Sequence, residues 1–145
     1  LIGIIFDRFI HTIVFLSCYC TLRQFTGGYH AKNYTECTLT FAAIYLITIF
    51  VANNIDIVSY KYLSIVILII SMFIIYKLAP LEHRNKPLSN KEKHIYRITA
   101  MKITSFITMI FIASIVRKIF VEYSIYSLFA VCWIGILLIV GYYNN

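Results

Sequence analysis

The chain has 145 residues, of which 61% are hydrophobic and 13% charged, with a mean hydropathy of +0.82 and a formal net charge of +7. A soluble domain runs at about half apolar and about a quarter charged, so a single small aqueous core is excluded and an all-α integral membrane protein is expected, one membrane domain over residues 1–145. Long unbroken apolar runs also exclude a membrane β-barrel, whose strands alternate apolar and polar residues, and basic residues placed between those runs point to topology and anionic membrane lipid rather than to nucleic acid.

In chain order, the first apolar segment runs from about Phe9 to Leu22 and could extend back to Leu1, with Asp7, Arg8 and His11 at its far end. A polar island, Arg23 to Glu36, follows. The second segment covers about Thr38 to Ala52 and is broken by Asn53-Asn-Ile-Asp56. The third runs from about Tyr60 to Ala79 and stops at Pro80, because proline cannot continue the helical hydrogen-bond ladder. A polar stretch from Pro80 to about Lys102 precedes a fourth segment, Ile103 to Val116, and Arg117-Lys118 separates that from a fifth, Phe120 to Tyr143. A spanning helix needs about 20 apolar residues. The second and fourth segments fall short, so they are expected to recruit flanking residues, bend, or lie partly inside the protein. The expected architecture is a bundle of about five to six membrane helices, some short or partly re-entrant.

Charge sets the orientation. Lys77 to Lys102 carries seven basic residues against Glu82 and Glu92, which places this stretch in the cytoplasm by the positive-inside rule. Alternation then puts Asn53 to Asp56 outside, the Arg23 to Glu36 island inside and Arg117-Lys118 outside, the last a mild violation. No secretory signal stands at the front, and the chain opens on Leu1 rather than Met, so the native start is expected to lie outside it.

The island Arg23-Gln-Phe-Thr-Gly-Gly-Tyr-His30-Ala-Lys-Asn-Tyr-Thr-Glu-Cys37 holds the chemistry-bearing residues. A histidine and a cysteine held beside a membrane suggest function, since polar groups are costly there, and a thiol needs a base such as imidazole to become a nucleophile. Gly27-Gly28 predicts a sharp turn or helix end. Asn33 followed by Glu36 predicts a helix start, which puts Cys37 in about the first turn of the second helix, where the helix dipole favours a thiolate. On one straight helix His30 and Cys37 would stand about 10 Å apart, whereas proton transfer needs about 3 Å. The turn matters because it can fold His30 back over Cys37. The plainer alternative makes His30 an interfacial loop residue and Cys37 a small helix residue. A zinc site would need further ligands, from His83 or His94 of the later loop, because structural zinc takes four ligands and catalytic zinc three.

The pattern Arg-x4-Gly-x-His-x6-Cys, written here by Arg23, Gly28, His30 and Cys37, resembles the active-site segment of the accessory gene regulator B (AgrB) family of membrane cysteine endopeptidases. A second match follows in Ala79-Pro80 and Asn85-Lys86-Pro87-Leu88. The resemblance implies a multi-pass cell-membrane enzyme with its active site on the cytoplasmic side. It would cleave a quorum-sensing pheromone precursor peptide through a thioester on Cys37 and close the released part into a thiolactone or lactone. His30 would be the general base and then the acid. Arg23 and Gly28 would be structural or substrate-positioning. Arg84, Lys86 and Pro87 would bind the precursor's acidic tail or shape the loop that does. No metal or other cofactor is implied, and a homodimer is. The amphipathic N-terminal region of the family pattern is expected to be absent. Two other readings stand beside this one: a non-enzymatic membrane transporter or scaffold, and a processing peptidase that releases a linear peptide. Cys18 and Cys20 read as helix-packing residues on different faces, and Tyr60, Tyr62, Tyr76, Tyr142 and Tyr143 as an interfacial belt.

Overall fold

The computed structural model describes residues 6–27, 34–54, 59–81 and 88–144, with the side chains of Tyr34, Glu36, Cys37 and Asn144 outside that description. The described residues form five helices: α1 (Phe9–Thr26), α2 (Tyr34–Asn54), α3 (Lys61–Leu78), α4 (Asn90–Arg117) and α5 (Val121–Asn144). Among them there is no strand, and the one β-bridge joins Gly27 to Leu81. The all-α expectation therefore holds. Three helices, α3, α4 and α5, are long and apolar enough to cross a membrane, while α2 has a shorter apolar stretch, Thr38–Asn54.

α5 is the central helix and packs against all four others. It buries 67% of its apolar window inside the protein, whereas α3 and α4 each bury 22% of theirs. The core is built from side chains with no exposure, among them Phe15 and Leu22 of α1, Leu68 and Ile75 of α3, Ala100 and Phe111 of α4, and Val131, Ile134 and Leu138 of α5. Gly135 of α5 faces Ser71 of α3, where even an added Cβ would meet Ser71 only at ordinary contact distance, so a small-residue pair lines the crossing of these two helices. The opposite faces of α3 and α4 leave Ile69, Ile70, Phe73, Phe106, Met109 and Val116 exposed. An apolar surface of that extent requires a lipid solvent, and the molecule is a membrane protein.

The helices alternate in direction. His11 at the start of α1 meets Glu122, Tyr123 and Tyr126 at the start of α5, and Thr12 shares a hydrogen bond with Tyr45 of α2. At the other end, Phe25 of α1 stands edge-on to Tyr96 of α4 at 5.9 Å. The ends of α1 and α3 and the starts of α2 and α4 thus lie together, as charge patterning required of the two polar stretches.

The structure corrects two boundaries. The stretch up to Lys102 is not all connection: α4 begins at Asn90 and is 28 residues long, opened by a reciprocal capping box in which Ser89 Oγ accepts from the Glu92 amide and a Glu92 carboxylate oxygen accepts from the Ser89 amide. The fourth segment reaches spanning length by recruiting these polar turns. The first helix does not run back through Asp7, whose φ of +52° ends it ahead of Phe9. Cys18 packs against the core, but Cys20 is exposed and packs on nothing inside. The five tyrosines of the expected belt are all exposed and sit within the terminal turns of α3 and α5 or just before them.

Candidate active site

α1 continues past Leu22 through Arg23, Gln24 and Thr26 because its backbone ladder does not depend on apolar side chains, and it stops at Gly27. Gly27 adopts φ +67° and ψ −136°, a region that residues with a Cβ avoid. Arg23 and Gly27 close on each other twice: the Gly27 amide donates to the Arg23 carbonyl at 3.2 Å, and Arg23 Nη1 donates to the Gly27 carbonyl at 2.8 Å. The guanidinium fixes the exit of the chain from α1 and adds charge to the last helical turn, where the dipole favours a cation.

The same glycine touches the second segment singled out from sequence. The Leu81 amide donates to the Thr26 carbonyl at 3.0 Å, and the Leu81 carbonyl lies so close that a Cβ on Gly27 would stand 2.4 Å from its oxygen. Ala79-Pro80 is a cis peptide, and Ala79 is 2% exposed. Arg97 of α4 reaches across to this turn: its Nε donates to the Ala79 carbonyl at 3.1 Å, and its guanidinium lies 5.8 Å from the Tyr76 ring centroid. A clasp of backbone and arginine contacts therefore holds the ends of α1 and α3 against the second turn of α4, and from it residues 28–33 and 82–87 depart.

α2 begins at Tyr34, as the Asn33 and Glu36 pattern predicts, and Cys37 is its fourth residue. The first-turn amides of a helix have no intrahelical acceptors, so this position favours an anion such as a thiolate. The register of α2 is set by Phe41, one turn further on, which packs on Phe15 and Tyr19 of α1. It is set also by Tyr45 on Phe15, and by Trp133 of α5 donating Nε1–H to Thr48 Oγ1 at 3.0 Å. Of the residues assigned from sequence, Arg23 is in the clasp and position 37 is in the first turn of α2. Gly28, His30, Arg84, Lys86 and Pro87 lie outside the described residues, as does the side chain of Cys37. Among the described residues no group of three or more His, Cys, Asp and Glu side chains converges to hold a metal ion.

Sequence reasoning missed Gly27 and Arg97. Gly27 appears there only as half of a turn, and Arg97 only as a topology charge. Paired glycine does signal a close backbone approach, and Ser89-x-x-Glu92 signals a helix that would put Arg97 two turns in, but neither names its partner across the bundle.

The profile of the accessory gene regulator B family matches residues 1–140, a range that contains both sequence segments and the clasp between them. The chain is 30% identical over 124 residues to a protein of Clostridium perfringens (strain SM101 / Type A) named AgrB-like, and 29% identical over 124 residues to a second AgrB-like protein of Clostridium perfringens (strain 13 / Type A). Each alignment covers 80% of this chain and 57% of the relative, so the chain spans little more than half the length of these curated relatives. No solved structure matches it significantly. With a family match across nearly its whole length, the chain belongs to the accessory gene regulator B family.

Proposed function

We propose that this chain carries the catalytic segment of a membrane cysteine endopeptidase that processes a quorum-sensing pheromone precursor peptide. The observation that carries the reading is the family match over residues 1–140, a range that contains Arg23, Gly28, His30 and Cys37. The clasp supports it, because Gly27 and Leu81, the residues that precede in the chain the segment with Cys37 and the segment with Arg84, Lys86 and Pro87, lie against each other.

In the proposed reaction His30 takes the Cys37 proton and the thiolate attacks the scissile carbonyl. The C–N bond breaks, the imidazolium returns its proton to the leaving amine, and the N-terminal part of the precursor remains as a thioester on Cys37. An internal thiol or hydroxyl of that peptide then attacks the thioester, closes a thiolactone or lactone and restores the Cys37 thiol. The thioester keeps much of the energy of the peptide bond, so cyclisation proceeds without ATP where water is held away. Arg23 shapes the exit of α1, Gly28 is a structural or substrate-positioning residue, and Arg84, Lys86 and Pro87 serve the acidic end of the precursor. All five helices cross or enter the cell membrane as one domain, with these loops at the cytoplasmic face beside anionic lipid. A second copy completes a homodimer.

The test is co-expression of the protein with its precursor in membranes. Cys37→Ala and His30→Ala each abolish cleavage while membrane levels stay unchanged, and a Cys37-linked acyl-enzyme is trapped from the wild type. Cleavage by Cys37→Ala at the wild-type rate overturns the reading. Mass spectrometry of the product separates cyclisation from simple release, a ring being one water lighter than the linear peptide.

A further inference from the structure

α4 carries two stripes. Ala100, Thr104, Ile107 and Phe111 form the buried one. The other begins with His94, Arg97 and Lys102, continues through Met101 and Ser105, and turns apolar at Met109, Ile112 and Val116. With α3 this second stripe lines a groove made of two adjoining hollows that share Ser105. The hollow nearer the clasp has a volume of about 640 Å³ and is roofed by Tyr76; the further one, about 440 Å³, is floored by Met72. His94, Arg97 and Lys102 stand at the clasp end of this groove and Arg117 at the other, and among the described residues no carboxylate lines it.

Length fixes the depth of these residues. At 28 residues α4 is roughly 42 Å long, against a hydrocarbon core about 30 Å thick. Counting back from Arg117, the hydrocarbon ends near Ile98. Arg97 then stands at the interface and Lys102 about one turn inside it. An ammonium at that depth on a lipid-facing groove needs an anionic partner or must bend back to the interface. Arg97 is held in place by Ala79 and Tyr76, and among the described residues its two Nη groups have no protein acceptor.

We infer that the α3–α4 groove is a binding site for one anionic phospholipid, its phosphate between Arg97 and Lys102 and one acyl chain laid along Met101, Ser105, Met109 and Ile112. The chemistry selects this occupant. A phospholipid brings its negative charge already at the interface and its apolar chain in the direction the groove runs. A partner helix would need carboxylates inside the hydrocarbon to match Lys102, an expensive placement. The inference rests on the depth of α4 and is independent of the reaction at Cys37.

The test is native mass spectrometry of the purified full chain, titrated in detergent with phosphatidylglycerol or phosphatidylcholine of equal chain length. The wild type retains phosphatidylglycerol about thirtyfold better, as two cations at about 1 kcal/mol each imply. Lys102→Gln lowers phosphatidylglycerol retention about fivefold without changing phosphatidylcholine, and Lys102→Arg restores it. Ser105→Trp, which plugs the junction of the hollows, lowers retention of both lipids. Both positions are exposed, so helicity by circular dichroism stays at the wild-type value. Equal retention of the two lipids, or an unchanged preference in Lys102→Gln, overturns the inference. So does displacement of phosphatidylglycerol by glycerol phosphate at equal concentration, which would make the site one for a free phosphate. A disulfide between copies through Ser105→Cys, absent from the parent chain, would place a second copy in the groove and overturn it too.

Discussion

Gly27→Ala is the sharpest perturbation of the clasp. The alanine must adopt φ +67° with ψ −136°, a backbone strain of about 1–3 kcal/mol. Its Cβ would also stand 2.4 Å from the Leu81 carbonyl oxygen, and backbone cannot swing aside as the tip of a flexible side chain can. The structure relieves this only by parting Gly27 from Leu81, which gives up the hydrogen bond from the Leu81 amide to Thr26, about 1 kcal/mol net. Together these amount to about 3 kcal/mol, concentrated at one joint. The expected outcome is local opening rather than loss of the bundle, because the core residues of α5 are untouched. Amide exchange at Leu81, measured on the protein in detergent or nanodiscs, should accelerate by roughly a hundredfold, while the amides of Val131 and Ile134 keep their protection. Gly135→Ala is the control. Its Cβ would meet Ser71 at 3.6 Å, an ordinary contact, and a helical glycine replaced by alanine gains up to about 1 kcal/mol. If Gly27→Ala leaves Leu81 exchange at the wild-type rate, or if Gly135→Ala proves the more damaging of the two, the account of the clasp is wrong.

Three further outcomes follow from the packing. Ser89→Ala removes the capping box and should destabilise the first turn of α4 by about 1 kcal/mol, seen as roughly fivefold faster exchange of the Glu92 amide with the membrane-embedded turns unaffected. Trp133→Phe keeps an aromatic ring, smaller than indole, and deletes the bond to Thr48 Oγ1. Thr48 still donates to the Ile44 carbonyl, so the loss should stay near 1 kcal/mol and show as faster exchange in α2 alone. Phe15→Ala opens a cavity where Tyr19, Phe41 and Tyr45 converge and should lower stability to denaturation by about 3–5 kcal/mol. An effect under about 1 kcal/mol would mean that α2 does not depend on this cluster.

Hydropathy located the membrane segments well because burial in lipid is what it measures. It located helix ends badly wherever a helix leaves the lipid. α3 ends where Pro80 requires, and α4 gives way to α5 at Arg117-Lys118, where Lys118 and Phe120 both take positive φ. The polar turns from Asn90 to Lys102 carry no hydropathy signal, yet their helical signature was legible in Ser89 and Glu92. Cys18 and Cys20 were correctly assigned to different faces, but which face is buried depends on where α5 lies. The candidate site was legible to the extent that chemistry is local: the turn at Gly27-Gly28 and the start of α2 near Cys37 follow from residue type. The union of Gly27 with Leu81, and of Arg97 with Ala79, joins residues far apart in sequence through backbone atoms, and no side-chain pattern encodes a carbonyl as a partner.

That union bears on how the start of α2 is positioned. Among the described residues α2 has little contact with the central helix compared with α1, α3 or α4. Its placement therefore rests on supports at different heights: the aromatic packing of Phe41 and Tyr45 on α1, and the bond from Trp133 of α5 to Thr48. The support nearer position 37 is the one on α1, and α1 is itself pinned to α3 and α4 at the clasp. Position 37 lies one turn before Phe41, so the packing of Phe41 on Phe15 and Tyr19 ties it to the helix that the clasp joins to α3 and α4. If the two loops act on one peptide, a change at either support should alter activity while the core of α5 remains intact. Lesions at Gly27 and Phe15 should then combine non-additively in activity, since each displaces the same segment, whereas either one should add simply to a lesion such as Gly135→Ala on the far side of α5.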